Sequence, residues 1–113
     1  MENKVQLTAF FLRKAKRLIK KYHTLQDSLK QLEQTLIQNP KIGDSYGSNI
    51  YKVRLADESK GKGKSGGFRV ITYVIEETTE STDIYLITIF DKSEEASIDK
   101  ADIKDILSSE GLI

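Results

Sequence analysis

The chain contains no cysteine and no tryptophan, a single histidine and a single proline. Without cysteine there is no disulfide, no thiolate nucleophile and no cysteine-ligated metal, and the composition suits a reducing compartment. The lone histidine, His23, has neither a His nor a Cys partner with which to hold a metal. It also stands without a nucleophile elbow, which argues against a serine–histidine hydrolase. No metal and no cofactor are expected. Long apolar runs are missing too: nothing approaches the roughly 20 residues of a membrane-spanning helix. The stretch after Met1 lacks the apolar core and cleavage site of a secretory signal, so the expected location is the cytoplasm, with no membrane partner. No internal repeat is present.

What is there is the material of one globular domain, expected to span residues 1–113, with 38% hydrophobic and 31% charged residues. The net charge of +1 conceals a segregation. Residues 1–75 carry 15 Lys/Arg against 6 Asp/Glu, whereas residues 76–113 carry 3 against 11. Two readings are open: a basic surface that attracts nucleic acid or an acidic partner, or a solvated face neutralised in space by the acidic end.

Periodicity orders the elements. Lys4 to Leu7 reads as a short strand. Thr8 can cap a helix to about Tyr22, in which Phe11, Ala15, Leu18 and Tyr22 share one face with Ile19 beside them. Its other positions are basic: Arg13, Lys14, Lys16, Arg17, Lys20 and Lys21. Thr24 is placed to cap a second helix carrying Leu25, Leu29, Leu32 and Leu36, and Asn39-Pro40 stops it. Residues 41–48 read as irregular. From Ile50 to Ala56 the residues alternate, with Tyr51, Val53 and Leu55 on one side and Lys52 and Arg54 on the other. Phe68 to Ile75 is a nearly continuous apolar run, with Arg69 and Tyr73 on one face. Glu76 to Thr82 reads as a polar turn before a last strand from Ile84 to Phe90. Asp99 is positioned to cap a final helix, with Ile98 and Ile103 as a hydrophobic staple and Gly111 at its end. The order β-α-α-β-β-β-α makes an α+β fold: an antiparallel sheet with an N-terminal helical hairpin on one face and a C-terminal helix. The other face is expected to be open and partly cationic.

Between the middle strands lies Gly61-Lys62-Gly63-Lys64-Ser65-Gly66-Gly67. It is no nucleotide cradle: the first glycine of a phosphate loop would fall at Glu58, and a β-run rather than a helix follows. What remains is a cluster of cations. Lys52 and Arg54 project from one strand, Arg69 opens the next, Lys92 ends the last, and Lys60, Lys62 and Lys64 lie on the loop. Such groups can clamp phosphates. Phe68, Tyr73 and Phe90 offer aromatic surface on which bases can stack. The plainer alternatives are a solvated strand face for Lys52 and Arg54, an ion pair for Arg69, and core packing for Phe68 and Tyr73.

The element order resembles that of the RelE/ParE toxin superfamily. So do Asn39-Pro40, Tyr51-Lys52-Val53-Arg54-Leu55, the run from Gly61 to Ile71, and Phe90-Asp91-Lys92-Ser93-Glu94. The glycine–lysine loop is most similar to the HigB-like RelE branch. The resemblance implies the toxin of a bacterial type II toxin–antitoxin pair, with a cognate antitoxin as partner. It further implies a metal-independent endoribonuclease, an mRNA interferase that cuts mRNA on the ribosome through the RNA's own 2′-hydroxyl. Carried over by position, Arg69 is the transition-state clamp, and Lys52, Arg54 and Lys92 share substrate orientation and proton transfer. Lys60, Lys62, Lys64, Phe68 and Tyr73 are the expected RNA contacts. The chain departs from the family pattern at Ser93, where an arginine is usual, and near Asp99, where a tyrosine stacks on the substrate base. Two alternatives stand beside this: a ParE-like poison of DNA gyrase, and a non-catalytic module that binds RNA or antitoxin.

Overall fold

A computed structural model of the chain describes residues 2–57, 67–95 and 97–113. Strand β1 (Glu2–Leu7) leads into helix α1 (Ala9–Lys21), and a short turn leads to helix α2 (Leu25–Gln38). Strands β2 (Asp44–Gly47), β3 (Ile50–Leu55), β4 (Phe68–Thr78) and β5 (Ser81–Asp91) follow, and helix α3 (Lys100–Ser109) closes the order β-α-α-β-β-β-β-α. The sheet order is β1-β5-β4-β3-β2; β1 runs parallel to β5, and the other pairs are antiparallel.

Thr8 caps α1 as its position predicts, its hydroxyl accepting from the Phe11 N–H at 3.1 Å. Phe11, Ala15 and Leu18 of α1 and Leu25, Leu29, Leu32 and Leu36 of α2 are buried against one face of the sheet. That face supplies Val53, Leu55, Phe68, Val70, Val74, Ile84, Leu86 and Ile89. Because side chains alternate along a strand, the intervening residues form the second face, where Ile50, Ile71, Ile87 and Phe90 pack on Ile103, Ile106 and Leu107 of α3. β4 and β5 are therefore buried on both sides, as their continuous apolar runs require.

Four expectations are corrected. Residues 44–47 form an edge strand rather than an irregular segment, with Asp44 opposite Lys52; its polar composition hides it from any period-2 count. Gly43 makes it possible: φ is +95°, and a Cβ there would strike the Lys52 carbonyl. The supposed turn from Glu76 to Thr82 is mostly strand, since β4 runs to Thr78 and β5 starts at Ser81; the hairpin tip carries no apolar face to reveal its pairing. The second sheet face is not simply open, because α3 covers its apolar part. Finally, Thr24 stands at the N-cap of α2 but makes no capping bond; its hydroxyl instead donates to Asp57 Oδ2 at 2.7 Å.

Candidate functional site

The register of β3 and β4 decides the site. Arg54 lies directly opposite Arg69, and Arg69 lies opposite Phe90 of β5, which gives a row Arg54–Arg69–Phe90 across the second sheet face. One step away runs the row Lys52–Ile71–Thr88, and beyond it Ile50–Tyr73–Tyr85. Cross-strand neighbours stand about 5 Å apart at Cβ, so two guanidinium stems are held side by side. Like charges so placed repel, and the charge of Arg54 acts on Arg69 in that sense.

Arg69 is 3% exposed, whereas Arg54 stands out in solvent. The Arg69 Nη1 donates to the Phe68 carbonyl at 3.2 Å. Burial, and secondarily the charge of Arg54, lower the pKa of Arg69 below the ordinary arginine value. An arginine still stays protonated at neutral pH. The result is a fixed cation in poorly hydrated surroundings, the condition under which a charge acts most strongly on a neighbouring anion. Arg54 is only loosely balanced, with Nη2 at 4.0 Å from Asp44 Oδ2. Lys52 is half-buried, and its Nζ rests 5.5 Å from the Tyr46 ring centroid. Tyr73 is half-buried on the same face, packed against the α3-side core. Lys92 is exposed beyond β5, and its backbone N–H donates to the Gly67 carbonyl at 3.2 Å, which ties it to the chain two residues before Arg69.

Two of the expected aromatic surfaces are not surfaces. Phe68 is fully buried on the helix side, its ring centroid 5.2 Å from that of Tyr22 in an edge-on arrangement. The alternation that turns Arg69 toward the second face turns Phe68 away from it, so Phe68 presents no ring to a base. Phe90 lies on the right face but is 4% exposed, closed over by the α3-side core. Lys60, Lys62 and Lys64 lie outside the described residues.

The sequence reading missed the supports behind this face. Asp91 is fully buried and accepts from the Tyr22 hydroxyl at 2.8 Å, the Ser93 N–H at 2.9 Å and the Ser93 hydroxyl at 2.8 Å. Ser93 therefore closes the turn that carries Lys92, and Asp91-Lys92-Ser93 is a turn pattern the sequence did offer. Asp57, 5% exposed, accepts from Thr24 and from Ser28 at 2.6 Å. Two buried carboxylates thus fasten the ends of β3 and β5 to the α1–α2 corner, on either side of β4, the strand that carries Arg69.

This two-faced sheet, with its basic row near the start of β4, can be set beside known proteins. Residues 3–110 match the family model described as the RelE toxin of the RelE/RelB toxin–antitoxin system. The chain belongs to the RelE toxin family. Its fold is also similar to that of the free-state E. coli toxin RelE, solved as a double arginine-to-alanine mutant. The TM-score is 0.57 at 20% identity, covering 98% of this chain and 96% of that one. Among the described residues of this RelE chain the three helices and five strands follow that architecture, and no helix is long and apolar enough to cross a membrane.

Proposed function

We propose that this RelE chain acts over residues 1–113 as one toxin domain that arrests translation by cutting mRNA on the ribosome, neutralised in the cytoplasm by a cognate antitoxin. The glycine–lysine loop, Gly61 to Phe68, is the sequence feature that groups it with HigB-like members. The observation that carries the reading is the Arg54–Arg69 pair: adjacent cations, one exposed and one buried, with half-buried Lys52 on the same sheet face.

The chemistry follows from what such a face can do. A backbone phosphate seated between Arg54 and Arg69 relieves their repulsion and is held by charge-assisted hydrogen bonds. The ribose 2′-oxygen attacks the neighbouring phosphorus; the O2′–P bond forms as the P–O5′ bond breaks, leaving a cyclic phosphate and a 5′-hydroxyl. The 2′-hydroxyl proton leaves to a base and another is delivered to the departing 5′-oxygen. Lys52, Arg54 and Lys92 share orientation and proton transfer, and Arg69 stabilises the extra negative charge of the pentavalent phosphate. Lys60, Lys62, Lys64 and Tyr73 contact the flanking RNA.

Induced expression followed by primer-extension mapping of transcripts tests this. New 5′ ends within translated regions are expected with the wild-type chain and not with Arg69→Ala. Double-strand DNA breaks without new RNA ends would replace the ribonuclease reading by a gyrase poison.

A further inference from the structure

The register of β2 against β3 skips Tyr46. Asp44 stands opposite Lys52, Ser45 opposite Tyr51 and Gly47 opposite Ile50, so Tyr46 is the extra residue of a β-bulge on an edge strand. A bulge re-aims the side chain it carries. Here the ring turns onto the second sheet face, half-buried against the α3-side core, while Asp44, Ser45 and Gly47 are exposed. The backbone that follows is held in the left-handed region: φ is +78° at Gly47, +54° at Ser48 and +66° at Asn49, a conformation that is sterically costly for the last two. The Asn49 carbonyl accepts from the Val74 N–H at 3.0 Å, which fastens this turn to β4 beside Tyr73. The bulge therefore holds one large ring at the rim of the basic face. The Lys52 Nζ lies 5.5 Å from its centroid, near the outer limit of about 6 Å for a cation over an aromatic ring. Arg54 is two residues further along β3, which places it roughly 12 Å from Tyr46 at Cα.

We infer that Tyr46 is a stacking platform for an unpaired RNA base that flanks the phosphate held by Arg54 and Arg69. In the free chain the Lys52 ammonium lies over the ring; a phosphate that draws Lys52 toward the clamp leaves that ring face to the base beside it. A base suits this rim better than a second phosphate, because the Asp44 carboxylate shares the edge strand and opposes an anion there. Stacking needs only the π-face that every base has, so the contact positions the strand without dictating its sequence. Phe68 and Phe90 are closed off in the core, and Tyr85 lies on the far side of the face, where burial pushes its hydroxyl pKa up. The inference rests on the mRNA-cleavage reading of function.

The experiment uses the full chain and a defined mRNA on purified ribosomes, with two readouts. One is the toxin concentration that half-saturates single-turnover cleavage. The other is the fluorescence of 2-aminopurine placed beside the cleaved bond, in an mRNA made uncleavable by a 2′-deoxy sugar at that bond; its emission falls when it stacks. Tyr46→Leu keeps apolar bulk but has no π-face, Tyr46→Phe keeps the ring, and Tyr85→Leu is the control on the same sheet face. Circular dichroism checks that all three are folded. Tyr46→Leu should raise the half-saturating concentration roughly 5- to 100-fold, with a plateau rate near that of the wild type, and should abolish the quenching. Tyr46→Phe and Tyr85→Leu should keep both readouts. A Tyr46→Leu chain that saturates and quenches like the wild type would overturn the inference. Equal losses in Tyr46→Leu and Tyr46→Phe would overturn it too, since the ring would then not be the active feature, and so would equal losses in Tyr46→Leu and Tyr85→Leu, which would leave only packing. A Tyr46→Leu chain that cuts normally but no longer retains a co-expressed antitoxin would make the ring a protein contact instead. If the wild type itself cuts no mRNA on the ribosome, the cleavage reading fails, and the Tyr46 inference with it.

Discussion

Tyr22→Phe removes one oxygen and tests whether the buried carboxylate behind Lys92 is held as described. The Tyr22 hydroxyl donates to Asp91 Oδ2 at 2.8 Å, and Asp91 is fully buried. The substitution keeps the ring that packs on Phe68 and removes the hydrogen bond to the Asp91 carboxylate. Such bonds contribute about 1.5–3 kcal/mol, because the carboxylate loses a donor that buried surroundings do not replace with water. For a domain of this size that is roughly 5–12 °C in melting temperature. Urea unfolding read by circular dichroism should show a lower midpoint with an unchanged slope, the sign of altered stability rather than an altered unfolded state. A double-mutant cycle with Asp91→Asn should show coupling of about 1 kcal/mol or more. A Tyr22→Phe protein within about 0.5 kcal/mol of wild type would refute the reasoning, since a surface hydroxyl behaves that way.

Three further outcomes are expected. Gly67→Ala should destabilise by well over about 1 kcal/mol and lower toxicity, because the added Cβ would strike the Leu55 carbonyl beside the Arg69 strand; thermal melts and growth assays read both effects. Phe68→Ala should lose about 3–5 kcal/mol as a core truncation, and a stable variant defective only in RNA binding would contradict its assignment to the core. Arg17 holds the Glu94 carboxyl below its ordinary pKa, so the pair stabilises at pH values above the unfolded carboxylate range and fades as pH falls through the folded value. Arg17→Gln should therefore flatten the acid limb of a stability–pH profile slightly, with the difference vanishing at high salt; a change confined to alkaline pH would reverse that sign.

The helices were legible because their apolar stripes recur at helical spacing, and β4 and β5 because two-sided burial leaves few polar interruptions. Lys52 and Arg54 were legible as a face because they alternate with the apolar Tyr51, Val53 and Leu55. That Arg54 meets Arg69 was not, because register is fixed by pairing between distant segments and leaves no local trace. Phe68 misled because an aromatic next to an arginine in sequence lies across the sheet from it in space. β2 escaped notice because Asp44, Ser45 and Gly47 have no apolar periodicity, and its pairing depends on a backbone conformation at Gly43. Asp91 and Asp57 were hidden because their donors come from the α1–α2 corner, 69 positions away for Tyr22 and 33 and 29 for Thr24 and Ser28. Polar contacts of that kind carry no periodic signal.

The central claim is that Arg69 stabilises charge on an mRNA phosphate on the ribosome. It is tested most directly by single-turnover cleavage of a defined mRNA on purified ribosomes, comparing wild type, Arg69→Ala and Arg69→Lys at saturating toxin. The account predicts a 2′,3′-cyclic phosphate product without added metal. It also predicts a rate lowered about 100- to 1,000-fold in Arg69→Ala, as when a preorganised electrostatic donor is removed, with partial recovery in Arg69→Lys. A folded Arg69→Ala protein that cuts at the wild-type rate would contradict it.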